Sequence, residues 1–263
     1  MKKIAFSMES IRKQLKRYAP PIYVVKQTVG EDGVDGRIVS YVDKMSHIAE
    51  QYKVLRTNLI SLSPVKPVST IVITSSHAWE GKTVTSCNLA VTLSLDKEKK
   101  TLLVDADLRK PGVHSMFGLS REPGFSDVLS DFIGVEKFLA KPAIENLYVI
   151  PAGSLVDDPS ELLSLGKVET LLNRLKSEFD YIILDTPPVL EFTDASILGS
   201  FCDAVILAIK AGSTQKEAIE EAFNLLEEAK AKPKACILTN VQVALDAHYY
   251  FYKYKSAAPA GKR

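Results

Sequence analysis

Apolar positions recur along this chain in three rhythms, and each predicts a different kind of structure. In residues 1–19, Ile4, Met8, Ile11, Leu15 and Tyr18 fall at helical spacing. Lys2, Lys3, Arg12, Lys13, Lys16 and Arg17 fill the other side against one acid, Glu9. This predicts a short basic amphipathic helix, ended by Pro20-Pro21 and suited to an anionic membrane surface, a partner, or the protein's own body. Residues 20–45, with Gly30, Gly33 and Gly36 among Glu31, Asp32 and Asp35, read as a linker. A second helix is predicted over 46–61, with Ile48, Tyr52, Leu55 and Leu59 on one stripe. Beyond the prolines at 64 and 67 the rhythm changes again. Short β-branched runs at 69–74, 101–105, 147–151, 180–185, 203–209 and 234–239 alternate with helical patterns near 82–95, 125–130, 160–178, 193–200 and 214–230. Strands apolar on both faces, separated by helices, predict an α/β fold: a doubly wound, mainly parallel sheet covered on each side. The expected organisation is a helix and linker over 1–45, one α/β domain over 46–245 and a tail over 246–263.

Composition narrows the function classes. The 263 residues are 46% hydrophobic and 25% charged, enough to build a sizeable core without disulfides or structural metal. Thirty-three basic against 32 acidic side chains leave a net charge of +1. Such a balance provides no general field for attracting nucleic acid, and none is expected as a partner. The apolar run Ala204–Ile209 is far shorter than the roughly 20 residues that span a bilayer. The first residues lack the apolar stretch of a secretory signal. Cys87, Cys202 and Cys236 are scattered, and His47, His77, His114 and His248 show no metal-ligand spacing. A cytoplasmic protein with a single core is expected.

Candidate chemistry gathers at the ends of three predicted strands. The first runs into Thr74-Ser75-Ser76-His77-Ala78-Trp79-Glu80-Gly81-Lys82-Thr83-Val84, where a helix begins. Gly81-Lys82-Thr83 at a strand-to-helix turn is the second half of a phosphate-binding loop. Backbone N–H groups and the helix dipole favour phosphate there, Lys82 would reach the β- and γ-phosphates, and the Thr83 hydroxyl would ligate Mg²⁺. The full pattern wants a glycine where Ser76 stands. Asp105 and Asp107 follow the second strand, and Asp185 ends another. In an open parallel sheet the ligand crevice lies beyond the carboxyl ends of the strands, which brings these acids to the phosphate loop. Carboxylates there suit Mg²⁺, although strand-end aspartates also serve as helix caps.

Asp105-Ala106-Asp107-Leu108-Arg109-Lys110-Pro111 and Leu184-Asp185-Thr186-Pro187-Pro188, after a Gly-Lys-Thr loop, resemble the bacterial tyrosine kinases of capsule and exopolysaccharide synthesis (BY-kinases). These are relatives of the MinD/ParA-like deviant P-loop ATPases. The resemblance runs from about residue 48 to 240 and includes Pro151-Ala152-Gly153, Pro159-Ser160-Glu161-Leu162-Leu163 and Thr193-Asp194-Ala195. It implies an ATP- and Mg²⁺-dependent protein-tyrosine autokinase. Ser76, Trp79, Glu80, Gly81, Lys82, Thr83 and Val84 would form the nucleotide loop, with Asn240 at the adenine. Asp105 would accept the tyrosine proton, and Asp107 would act beside it with Lys82. Thr83, Asp107 and Asp185 would support the metal. Tyr249, Tyr250, Tyr252 and Tyr254 would be autophosphorylation sites; by composition alone such a cluster is an aromatic patch. Glu50, Lys53 and Arg56, with lysine where the family has arginine, would form a homo-oligomer interface, or else a solvated helix face. The resemblance further implies a separate transmembrane polysaccharide co-polymerase (Wzz-like) as activator and a cognate tyrosine phosphatase. Recruitment to the inner face of the cell membrane would follow. A MinD/ParA-like ATPase switch and an ATP-binding regulator with weakened catalysis are the alternatives. The family loop reads Pro-Gly where this chain has Ala78-Trp79. Either the loop takes a strained conformation with the indole turned outward, or phosphate binding is weakened.

Overall fold

The computed structural model describes residues 32–61, 68–131, 134–163 and 165–241. The basic helix expected at 1–19 and the tyrosine tail lie outside them. All elements below belong to one compact unit, Lys26–Thr239.

Six strands form one sheet: β1 (Thr70–Ser75), β2 (Thr101–Asp105), β3 (Leu147–Ile150), β4 (Tyr181–Asp185), β5 (Ala204–Lys210) and β6 (Pro233–Thr239). Every pairing is parallel, in the order β3-β2-β4-β1-β5-β6. The predicted strands differ from these by a residue or so at their ends. β1 to β5 are buried almost throughout, because helices cover both faces. Side-chain alternation separates two cores. Val72, Val104, Leu184 and Leu207 face one core, while Ile71, Ile73, Leu103 and Ile206 face the other.

The first core is completed by α5 (Phe125–Asp131), α7 (Leu165–Glu178), α8 (Asp194–Phe201) and α9 (Lys216–Glu228). The second is built on α3 (Lys82–Ser94), covered from outside by α1 (Val39–Val42) and α2 (His47–Ser61). Because α3 is enclosed on both sides, every residue from Thr85 to Ser94 is buried, polar ones included. Asn88 resolves much of that polarity. Its Oδ1 accepts from the Ser40 backbone N–H at 2.9 Å, and its Nδ2 donates to the carbonyls of Arg37 and Val84, each at 2.9 Å.

Two expectations are corrected here. Residues 34–42, read as linker, pack into the body instead: Val34 and Ile38 are buried in the second core. Their glycine-rich surroundings hid two apolar anchors four residues apart. The single helix expected over 160–178 is two: α6 (Pro159–Leu162), capped by the Asp158 side chain, and then α7. The sequence reading also passed over α4 (Val113–Met116) and a 3₁₀ turn at Val135–Phe138, both too short to show a period.

Candidate active site

The strand order places β1 between β4 and β5, with β2 beyond β4, so the carboxyl ends of β1, β2 and β4 open on one crevice. Asp105 and Asp185 are register partners across β2 and β4. Both carboxylates are fully buried. Asp105 Oδ2 accepts from the Gly112 and Val113 N–H groups at 3.1 and 2.9 Å, so the loop after β2 folds back over the strand end. Asp185 Oδ1 accepts from the Ser86 hydroxyl at 2.9 Å. The remaining oxygens, Asp105 Oδ1 and Asp185 Oδ2, are buried and accept no hydrogen bond.

Lys82 and Asp107 complete the group. The Lys82 ammonium stands 2.7 Å from Asp107 Oδ2, and Asp107 Oδ1 accepts from the Lys110 N–H at 2.9 Å. Burial opposes the lysine charge, but Asp185, Asp107 and Asp105 together outweigh it and hold its pKa above the ordinary value. Burial drives Asp185 up to about 6, against the pull of Lys82 and of the Thr83 and Ser86 hydroxyls. Burial and then the Asp185 charge push Asp105 well above the usual carboxylate range. Three acids share one lysine, and two of their buried oxygens lack any donor. That is a site short of positive charge, and its oxygen-rich donor set fits a divalent cation such as Mg²⁺.

The phosphate loop is held by its own side chains. Gly81 takes φ 91, and a side chain there would press on Thr239, whose atoms lie 3.2–3.4 Å from a Cβ at that position. Glu80 is buried and folds beneath the loop. Its Oε2 accepts from the His77 N–H at 3.1 Å, its other oxygen takes the Thr214 hydroxyl, and its carbonyl accepts from the Thr239 hydroxyl at 2.6 Å. From the opposite rim, Glu191 Oε1 accepts from the Ala78 N–H at 3.2 Å. Between these struts Trp79 takes φ 66, and its side chain is 87% exposed. Of the two outcomes open in the sequence, the chain adopts the strained loop with the indole outward.

The other expected residues fall as follows. Ser76 is buried beneath the loop, its hydroxyl without a partner. Thr83, the second residue of α3, is half-buried beside Gly112, and Val84 packs against the second core. Asn240 directly follows β6 at φ 53. Glu50 and Lys53 pair with each other at 2.5 Å, and Arg56 donates to the Thr92 carbonyl at 3.0 Å. Ser86, Glu191, Thr214 and Thr239 escaped the sequence reading. Only Ser86 left a signal there, one helical turn after Lys82 on the same face.

Comparison with known proteins places this geometry. The AAA domain family matches residues 68–239. The chain is 34% identical over 215 residues to the tyrosine-protein kinase YwqD of Bacillus subtilis (strain 168), covering 82% of this chain and 90% of that protein. It is 35% identical over 207 residues to the tyrosine-protein kinase CpsD of Streptococcus pneumoniae, covering 77% and 89%. The solved kinase domain of the Escherichia coli tyrosine kinase ETK superposes with a TM-score of 0.75 at 26% identity, over 86% of this chain and 85% of that one. A shared sequence over most of both chains, a shared fold, and a lysine and three acids at one sheet edge lead to one conclusion: the chain belongs to the bacterial tyrosine kinases, built on a P-loop ATPase scaffold.

Proposed function

We propose that this chain transfers the γ-phosphoryl group of ATP to tyrosine hydroxyls in the service of capsule or exopolysaccharide synthesis. The observation that carries this reading is the meeting of Lys82, Asp107 and the two donor-less oxygens of Asp105 and Asp185 at the foot of the phosphate loop. Phosphoryl transfer needs positioning, charge neutralisation and an acceptor for the proton of the incoming hydroxyl. Lys82 meets the β- and γ-phosphates from the first turn of α3. Thr83, Asp107 and Asp185 hold magnesium, which when bound neutralises charge on the phosphates. Asp105 receives the tyrosine proton: one of its oxygens is fixed by two backbone N–H groups, the other is free, and its raised pKa suits a base. Asn240 contacts the adenine.

The same reading assigns Tyr249, Tyr250, Tyr252 and Tyr254 as autophosphorylation sites. A separate transmembrane co-polymerase acts as activator, a cognate phosphatase reverses the modification, and residues 1–19 favour the inner membrane face. No helix among the described residues is long and apolar enough to cross a membrane. Homo-oligomers form through Glu50, Lys53 and Arg56. Their present contacts lie within the chain, so assembly through this helix exchanges the Lys53–Glu50 pair and the Arg56–Thr92 bond for contacts with a neighbour.

Incubation with Mg-ATP followed by mass mapping tests the reading. Phosphotyrosine is expected on the tail, and Lys82→Met should lower its formation at least about a hundredfold, the scale for loss of one charge-stabilising donor. ATP hydrolysis without phosphotyrosine would indicate an ATPase switch of the MinD/ParA type. Absence of nucleotide binding would leave a non-catalytic module.

A further inference from the structure

Trp79 combines two properties that a folded chain normally avoids. Its backbone lies at φ 66, in the left-handed region where bulky residues are strained. Its indole gains nothing in return from packing, because it is the most exposed large apolar side chain among the described residues. Single exposed apolar residues are ordinary on protein surfaces. A single indole held in solvent by a strained backbone is not, since a glycine would remove both costs.

The surrounding residues fix this arrangement. On one side Glu80 ties the His77 N–H, Thr214 and Thr239 together; on the other Glu191 takes the Ala78 N–H. Trp79 lies three residues before Lys82 in the loop that leads into the crevice of Lys82, Asp107, Asp105 and Asp185, and its indole projects from that loop into solvent. An acceptor hydroxyl has to come to that crevice from solvent, and in a tyrosine kinase it arrives on a flat aromatic ring.

We propose that Trp79 is a docking platform for the aromatic ring of the acceptor tyrosine, and so sets acceptor selectivity at this site. The inference rests on the tyrosine-kinase reading above. The backbone of the loop serves the phosphates while the indole serves the second substrate. A ring that stacks on the indole presents its hydroxyl beside the carboxylates, and a serine or threonine acceptor has nothing to stack.

The test is a two-substrate kinetic comparison on the full chain, with Mg-ATP and a synthetic peptide of residues 246–256 as acceptor, its phosphotyrosine counted by mass spectrometry. Trp79→Gly is expected to raise the KM for the peptide about fivefold, the scale of one aromatic pair. The same variant should lower the KM for ATP, because glycine relieves the strain in the loop. Trp79→Phe, which keeps a flat ring, should hold the peptide KM within about twofold of the parent. Opposite movement of the two constants separates ring capture from loop distortion. An unmoved peptide KM in Trp79→Gly, or a rise in both constants together, overturns the proposal while leaving the kinase reading intact. Parent protein that makes no phosphotyrosine overturns both.

Discussion

At the scale of single residues, the site holds its unusual charge state ready for ligands. Burial lifts Asp185 to about 6 and holds Asp105 well above the usual carboxylate range, because it disfavours the charged carboxylate. A carboxyl whose folded pKa is raised binds its proton more tightly in the native state than in the unfolded chain. It therefore favours folding at low pH, and that contribution is lost as pH rises through the folded value. Without nucleotide or Mg²⁺, stability should fall between about pH 4 and pH 7 by on the order of 2 kcal/mol from Asp185. Asp185→Asn should flatten this slope in a series of thermal melts. Added Mg-ATP should restore the parent at pH 7.5 and leave the variant largely unmoved, since in the proposed function Asp185 is a metal ligand. A parent whose melting temperature rises steadily over that interval would contradict the assignment.

At the scale of elements, α3 does two jobs with one sequence. Its first turn carries Lys82 into the crevice, and the rest is a floor on which residues 34–59 lie. The polar residues inside it are the fasteners. Asn88→Ala leaves the Ser40 N–H and the Arg37 carbonyl without their partner in a buried layer, and should cost about 1–3 kcal/mol in chemical denaturation. The loss should appear first as hydrogen exchange in residues 34–42. A comparable fastener ties two central strands at their amino ends. Asp203 Oδ2 accepts from the backbone and hydroxyl of both Ser69 and Thr70, at 2.8–3.2 Å, which joins the start of β1 to the start of β5. Burial works against the Asp203 charge, yet those four donors prevail and hold its pKa below the usual carboxylate value. Its contribution is thus full above about pH 4 and fades as pH falls through the folded pKa. Asp203→Ala should lower stability at neutral pH by about 1–3 kcal/mol. Since the clasp lies at the end of the sheet away from the crevice, the KM for ATP should stay the same.

At the scale of the whole molecule, the plan of the sheet was legible because buried parallel strands are written as apolar runs, as β1 to β5 are, while β6 is half-buried and carries Lys234. The site was legible wherever chemistry depends on a strand end: Lys82, Asp105, Asp107 and Asp185 meet because topology, and not local sequence, brings strand ends together. What the sequence concealed depends on contacts between residues far apart in the chain. The bond from Ala78 to Glu191 and that from Thr214 to Glu80 each span more than a hundred residues and join ordinary loop positions. Residues 34–42 read as a linker because Gly30, Gly33 and Gly36 with Glu31, Asp32 and Asp35 crowd their start, while Val34, Ile38 and Val39 are the apolar side chains buried there. The orientation of Trp79 was undecided for the same reason, since a backbone angle enforced from both sides leaves no trace in the residue that adopts it.

The short contact between Lys82 and Asp107 has a consequence for the order of events. The Lys82 ammonium rests on Asp107, the acid that the proposed function also assigns to the metal. Triphosphate alone would have to draw the lysine away and leave Asp107 bare in a dry cleft, and metal alone would have to compete with a resident cation. When both come together, the metal supplies positive charge to Asp107 as the lysine turns to the phosphates, so neither anion is left without a cation. On that reading ATP should bind more tightly in the presence of magnesium than in its absence, and equal affinities in a binding titration would contradict it.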